Sequence, residues 1–327
     1  MSPMVATTFD GVRVFRAQSD RGATPRETTM TELQQYLAEE VVEDHADGIL
    51  TRREALRRLA LLGVGATVAS SLLAAAPAGA LASKPASGRA GGASSEWAPA
   101  ATQEITFPGP RGSLMGSWAP AAQAHGGVLV IHENRGLTDH IRSVAGRLAA
   151  CGYSALAVDL LSEEGGTGAF PGEAEVGAAL GQVPPERFDA DMKAAVTELR
   201  RRLPRTRLGA IGFCFGGAMV WRLLAAGERR LSAAAPFYGP FPQGGELRRA
   251  RADVLAVYGG LDARVNGTRE AARAALDAAG LRYQILTFTD ADHAFFNDTG
   301  MRYNVAAAAE AYRRVIGWYE RALRRGR

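Results

Sequence analysis

From about residue 104 to the C-terminus, short apolar runs alternate with longer stretches that carry apolar residues at helical spacing. GGVLVIHE (126–133) is uncharged until its last residues, the pattern of a strand covered on both faces. DHIRSVAGRLAACG follows, with Ile141, Val144, Ala145 and Leu148 on one helical face and Gly152 closing it. YSALAVDLL predicts a second strand, and PPERFDADMKAAVTELRRRL a helix with proline near its start. RLGAIGF predicts a strand, GGAMVWRLLAAG a helix, and LSAAAPFYG and DVLAVYGG two more strands. RVNGTREAARAALDAAG predicts a helix, RYQILTF a strand, and YNVAAAAEAYRRVIGWYERALRR a final helix. Such alternation predicts an α/β domain with a mostly parallel central sheet and helices on both faces. Ligands meet such sheets beyond the carboxyl ends of the strands. Attention therefore falls on the residues just after each strand: Glu133, Asp159, Cys214, Tyr238, Asp262 and His293.

The first hundred residues follow another pattern. Residues 1–50 are polar and weakly periodic. In TRREALRRLALLGVGATVASSLLAAAPAGALAS, Arg52, Arg53, Arg57 and Arg58 precede an uncharged stretch over 59–83. A basic segment, an apolar segment and small residues around Ala80 and Ala82 have the layout of a secretory signal. TRREALR resembles the twin-arginine (Tat) export motif, with Ala55 where an aromatic or leucine usually stands. The uncharged stretch is also long enough to cross a bilayer as an uncleaved anchor. SKPASGRAGGASSEWAPAATQ, rich in Ser, Ala, Gly and Pro, reads as a flexible linker. The expected organisation is a polar extension (1–50), a Tat-like signal peptide or membrane anchor (51–82), a linker (83–103) and an α/β domain (104–327). The domain is expected outside the cytoplasm, released or tethered. Met30 offers an alternative start that would bring the arginine pair close to the N-terminus.

Composition narrows the chemistry. The chain has 327 residues, 47% hydrophobic and 22% charged, which suits a globular core. The formal charge is only +4, and arginines crowd the ends in RREALRR and RRGR, so a general nucleic-acid surface is excluded. The two cysteines, Cys151 and Cys214, make neither a disulfide scaffold nor a C-x-x-C metal pair. Cys151, in LAACGYSALAV, is expected in the core.

Cys214 stands in LGAIGFCFGGAMV, between an apolar run and a helix, with Gly212 and Gly216 two residues to either side. This is the shape of the nucleophile elbow G-x-S-x-G with cysteine in place of serine. A thiol at a helix N-terminus is favoured as the thiolate. Asp262 follows 48 residues later and His293 another 31, in the order nucleophile, acid, base. His45, His125 and His140 are expected on the surface, whereas His132 adjoins Glu133 at a strand end. Asp290 and Asp292 are alternative orienting acids, although they lie close to His293 in sequence.

GFCFGG, GGLDARV, DADHAFFN and VIHENRGL together resemble the dienelactone hydrolase family of α/β-hydrolases, over roughly residues 104–325. The resemblance implies a Cys–His–Asp triad at Cys214, His293 and Asp262, and a glutamate contacting the nucleophile at Glu133. It implies oxyanion donors at the backbone N–H groups of Asn134 and Phe215. The family holds a substrate carboxylate with arginines. One of those positions is Asn297 here, and SEEGGTGAFPGEAEVGAALGQVPPERF offers only Arg187 for the other. Arg135, Tyr238 and Asn297 are the substrate-binding candidates, and Arg142 could also serve. The expected activity is hydrolysis of a small carboxylic ester or lactone through a thioester. The expectation includes no metal or organic cofactor, no nucleic acid, the Tat machinery as export partner, and a monomer. A non-catalytic ligand-binding protein on this scaffold is the alternative, though it has no use for an intact triad. A thiol redox protein would need Cys151 to reach Cys214.

Overall fold

A run such as GGVLVI contains no side chain able to satisfy its own backbone, so its N–H and C=O groups must pair with neighbouring strands. The computed structural model describes residues 30–75 and 98–324, together with two short antiparallel strands, β1 (Thr7–Phe9) and β2 (Val12–Val14). The chain divides into two units: Met1–Arg89 with Phe170–Val183, and Ala90–Ala169 with Pro184–Arg327.

In the first unit, α1 (Glu32–Ala46), α2 (Arg52–Leu61) and α3 (Ala66–Ala75) are joined by α5 (Glu173–Gln182), which comes from the excursion over 170–183. Thr31 and Gln34 form a reciprocal capping box at the start of α1. Arg57 pairs with Glu175 and Arg58 with Glu173 and Glu54, linking α2 to α5. Gly181 lets α5 approach closely, since a Cβ there would lie 3.2 Å from Leu62 and 3.4 Å from Leu37. The uncharged stretch does not form one long helix. Gly63, at φ +87°, ends α2 and the chain restarts as α3 after Gly65. Among the described residues no helix is long and apolar enough to cross a membrane. The small residues at Ala80 and Ala82, and the linker over 83–97, lie outside the described residues.

The second unit holds an eight-stranded sheet in the order β10-β9-β8-β7-β5-β6-β4-β3. Its strands are β3 (Gln103–Gly109), β4 (Gly112–Ala119), β5 (Gly126–Ile131), β6 (Tyr153–Asp159), β7 (Leu208–Phe213), β8 (Leu231–Phe237), β9 (Asp253–Gly259) and β10 (Tyr283–Phe288). From β6 to β10 across β5 the neighbours are parallel, and β3 and β4 add an antiparallel edge. The helices are α4 (Asp139–Ala150), α6 (Pro185–Arg202), α7 (Phe215–Ala225), α8 (Ala263–Asn266), α9 (Arg269–Ala278) and α10 (Val305–Leu323). Every residue of β5, β6 and β7 is buried, as their unbroken apolar runs require. Each fully buried Val, Leu or Ile there stabilises the fold by about 1.5–3 kcal/mol.

Besides α1, which forms in the stretch read as polar and weakly periodic, three further features differ from the sequence reading. The β3–β4 hairpin does not register as an apolar run because one face of β3 is exposed and Pro108 sits in it, which an edge strand tolerates. The helix α5 was hidden in a stretch rich in Gly, Ala and Glu. The predicted helix in RVNGTREAARAALDAAG is two, because Gly267 closes the short α8 and α9 starts afresh at Arg269.

Register brings the strand ends together. Ile131 pairs with Gly212, and Phe213 with Phe237, so Glu133, Cys214 and Tyr238 emerge side by side. Phe288 pairs with Gly259, which sets the loops carrying His293 and Asp262 next to each other.

Candidate active site

Cys214 joins β7 to α7 at φ 55°, ψ −118°. A non-glycine residue there stores about 1–3 kcal/mol of strain and persists only where its surroundings enforce it. Here backbone packing does so. A Cβ on Gly212 would lie 2.1 Å from the Gly216 carbonyl oxygen, one on Gly216 2.2 Å from that of Ile131, and one on Gly217 2.3 Å from that of Phe237. The first turn of α7 is thus pressed onto the ends of β5 and β8 at points where only hydrogen fits. Cys214 N–H donates to the Phe237 carbonyl at 3.1 Å. Phe215 is the first helical residue, so its N–H has no acceptor within α7.

Asp262 stands at the start of α8. Its Oδ1 accepts the Val265 N–H at 3.0 Å, and its Oδ2 accepts from His293 Nδ1 at 2.6 Å. One carboxylate oxygen caps the helix and the other orients the imidazole. With Nδ1 engaged, the remaining ring nitrogen addresses Cys214, and the sulfur and a His293 nitrogen lie within 4.8 Å. Burial by itself would push His293 down, but the Asp262 carboxylate, with Cys214 adding to it, holds it well above the usual histidine range. Burial would likewise raise Asp262, and the His293 ring outweighs it, keeping the carboxyl below its ordinary value. Of the competing acids, Asp292 accepts the His293 backbone N–H at 2.7 Å and faces Arg302 at 3.9 Å, while the imidazole is held by Asp262.

Glu133 follows β5 in a turn closed by the Gly136 N–H, which donates to the Glu133 carbonyl at 3.1 Å. Gly136 is at φ +78°, and a Cβ there would meet Thr167 Oγ1 at 2.3 Å. Thr167 accepts the Leu137 N–H, and its own N–H donates to Asp159, so Asp159 organises this turn. His132 Nε2 accepts the Leu160 N–H at 3.1 Å, which leaves Nδ1 to donate to the Glu133 carbonyl at 2.7 Å. Burial lowers His132 despite the opposing pull of Asp159 and that carbonyl, which fits this neutral tautomer. The Glu133 side chain is only 4% exposed. Its Oε2 accepts from Asn297 Nδ2 at 2.6 Å, and its Oε1 meets no hydrogen-bond partner among the described residues. Asn134, next in the turn, is half-buried.

Tyr238, at φ 34°, lays its ring edge against His293 with centroids 5.3 Å apart. Burial, reinforced by the charges of Glu133 and Cys214, lifts its hydroxyl well above the tyrosine range, so it remains an O–H group. Asn297 is therefore tied to Glu133, Tyr238 borders His293, and Arg135 sits half-buried two residues after Glu133. Arg187 is clamped by both oxygens of Glu164, at 2.5 and 2.6 Å, and Arg142 pairs with Glu104 at 3.0 Å. His140 departs from the surface position expected of it. It is buried, with Nδ1 2.8 Å from Asp298 Oδ1. Cys151 is half-buried at the C-terminus of α4, 3.6 Å from the Tyr312 hydroxyl. It precedes the start of β6, whereas Cys214 follows the end of β7, and a strand of this length separates the two ends by roughly 20 Å. The resolving partner a redox mechanism needs is thus at the opposite end of the sheet.

Sequence reasoning missed Thr299, whose N–H and hydroxyl both donate to the Asn297 side-chain oxygen, at 3.0 and 2.7 Å. No motif signals such a residue, because its partner Asn297 gains meaning only through a contact 164 residues away.

Residues 115–323 match the model of the dienelactone hydrolase family. A provisionally named carboxymethylenebutenolidase from Escherichia coli (strain K12) is 32% identical over 206 residues, covering 59% of this chain and 76% of that protein. Another from Methylorubrum extorquens is 30% identical over 224 residues, covering 61% of this chain and 74% of that protein. The crystal structure of a provisionally assigned dienelactone hydrolase from Klebsiella pneumoniae superposes with a TM-score of 0.60 at 28% identity, covering 67% of this chain and 98% of that one.

Proposed function

Because the chain belongs to the dienelactone hydrolase family and is an ester or lactone hydrolase, we propose that it cleaves its substrate by attack of the Cys214 sulfur, through a thioester. The observation that carries this reading is the buried line Asp262–His293–Cys214 at the strand ends. Glu133 Oε1 takes the thiol proton, and the sulfur adds to the carbonyl carbon. The oxygen that becomes negative sits between the N–H groups of Asn134 and Phe215, donors worth about 2.7–4 kcal/mol each in comparable sites. Collapse of this adduct breaks the carbon–oxygen bond, and the departing alkoxide takes a proton from His293, which enters the reaction as the imidazolium held by Asp262. Water then attacks the thioester with His293 accepting its proton, the carbon–sulfur bond breaks, and Glu133 returns its proton to the departing sulfur, so the acid leaves and the thiol is restored. Asp262 keeps the imidazole oriented through both half-reactions. Tyr238, against His293, and Asn297, on Glu133, are the candidates for contact with a small acyl group, together with Arg135 in the Glu133 turn. A panel of p-nitrophenyl esters and lactones tests the reading: turnover is expected on several, and it should be lost after treatment with iodoacetamide. Absence of turnover on every compound would favour a ligand-binding protein on the same scaffold.

We also propose that the leader directs export by the twin-arginine route. Arg52 and Arg53 are exposed at the start of α2, where Thr51 accepts the Glu54 N–H at 3.3 Å. Replacing both with lysine keeps the charge but removes the paired guanidinium groups. The doubly substituted protein is expected to stay in the cytoplasmic fraction while wild type leaves it. Export of the lysine pair at the wild-type level would return the segment to a general secretory signal or an anchor.

A further inference from the structure

Asn297, Asp298 and Thr299 follow the His293 turn, and each side chain has its own attachment. Asn297 Nδ2 donates to Glu133 Oε2. Asp298 is gripped by His140 and by Arg147, both on α4, the helix into which the Glu133 turn runs. Burial would raise Asp298, but these two partners outweigh it and keep its carboxyl well below the usual range. The segment 297–299 is thereby tied at two points to one continuous stretch of chain, residues 133–150.

The third attachment settles the orientation of the first. A side-chain amide has a donor end and an acceptor end. If Asn297 turned over, its oxygen would face the Glu133 carboxylate with no proton between them. Thr299 prevents this, because its backbone N–H and its hydroxyl both donate to one end of the amide and define that end as the oxygen. The NH2 group must then face Glu133. One carboxylate oxygen is held, and Oε1, also buried, has no hydrogen-bond partner among the described residues.

We propose that Thr299 is a positioning residue for Glu133. It sets the Asn297 amide, which holds Oε2 and leaves Oε1 for the Cys214 proton, and it touches no reacting atom. Its effect on turnover rests on the hydrolase reading above, whereas its effect on the thiol needs no substrate. Thr299→Val removes the hydroxyl but keeps the shape and the backbone donor, and Thr299→Ser restores a hydroxyl. The measurements are the rate of Cys214 alkylation by iodoacetamide at pH 7, kcat and KM on a p-nitrophenyl ester, and the melting temperature. Thr299→Val should be alkylated about 3–10-fold more slowly, the loss that one hydrogen bond typically produces, with kcat falling in step and KM within about twofold. Thr299→Ser should recover both rates. Asn297→Ala should slow alkylation at least as much, and adding Thr299→Val to it should change nothing further, since both act through one contact. The proposal is overturned if Thr299→Val alkylates at the wild-type rate, if serine does not rescue it, or if the two losses add. Should Thr299→Val fail to fold, Thr299→Ser and Asn297→Ala decide: alkylation must stay near wild type in the first and slow in the second. If wild type cleaves no ester, the hydrolase reading falls while the alkylation rates still decide this one.

Discussion

Cys214→Ala is expected to remove ester hydrolysis, by at least about 10⁴-fold in kcat, while the protein remains folded. The substitution deletes one sulfur and keeps the Cβ, so the elbow retains its φ of 55° and its glycine contacts are untouched. The melting temperature should stay within about 3 °C of wild type. The companion measurement compares the two thiols. Cys214 is 2% exposed and Cys151 more open, so accessibility alone predicts that Cys151 reacts first with iodoacetamide. Activation by His293 and Glu133 predicts the reverse, because the thiolate is the nucleophile. Faster labelling of Cys214, read by mass spectrometry of the peptides, therefore reports chemistry rather than exposure. Preferential labelling of Cys151, or residual turnover in Cys214→Ala, would remove Cys214 as nucleophile.

Glu133→Gln is expected to lower kcat/KM by roughly 10²–10⁴-fold, the usual range for a lost proton acceptor. The new amide has the shape of the carboxylate, and its oxygen can still accept from Asn297 Nδ2, so the turn and its melting temperature should hardly change. In the proposed mechanism, what disappears is the capacity of the second position to take a proton from Cys214. If Glu133 only braced the turn that Gly136 closes, the outcome would invert. The melting temperature would fall and kcat/KM would stay within a few-fold. A thermal melt and steady-state kinetics on this one variant separate the two, and stability lost with activity kept would take Glu133 out of the reaction.

How far these residues could be read from the chain depended on what kind of signal each left. Strands β5, β6 and β7 are buried on both faces, and burial on both faces writes itself as an unbroken apolar run. β3 has an exposed face and α5 is rich in small residues, and neither leaves such a run. Cys214 was legible because the elbow needs glycines at fixed offsets. Asp262 and His293 were legible because a parallel sheet delivers its strand ends to one edge, which makes sequence order a guide to proximity.

Side-chain pairings were not legible in this way. His140 shows a surface histidine's pattern at a helix start, yet it is buried against Asp298, 158 residues away. Asn297 occupies a position where the family resemblance implies a substrate contact, and folding brings its amide to Glu133. Arg187, the one arginine in its stretch, is taken by Glu164. The sequence by itself determined the α/β architecture, the elbow and the identity of the strand-end residues, because periodicity and glycine spacing report local burial and local backbone shape. Only the tertiary structure decided which polar groups meet, because a hydrogen bond depends on a few tenths of an ångström between loops whose paths are set by the packing of everything between them.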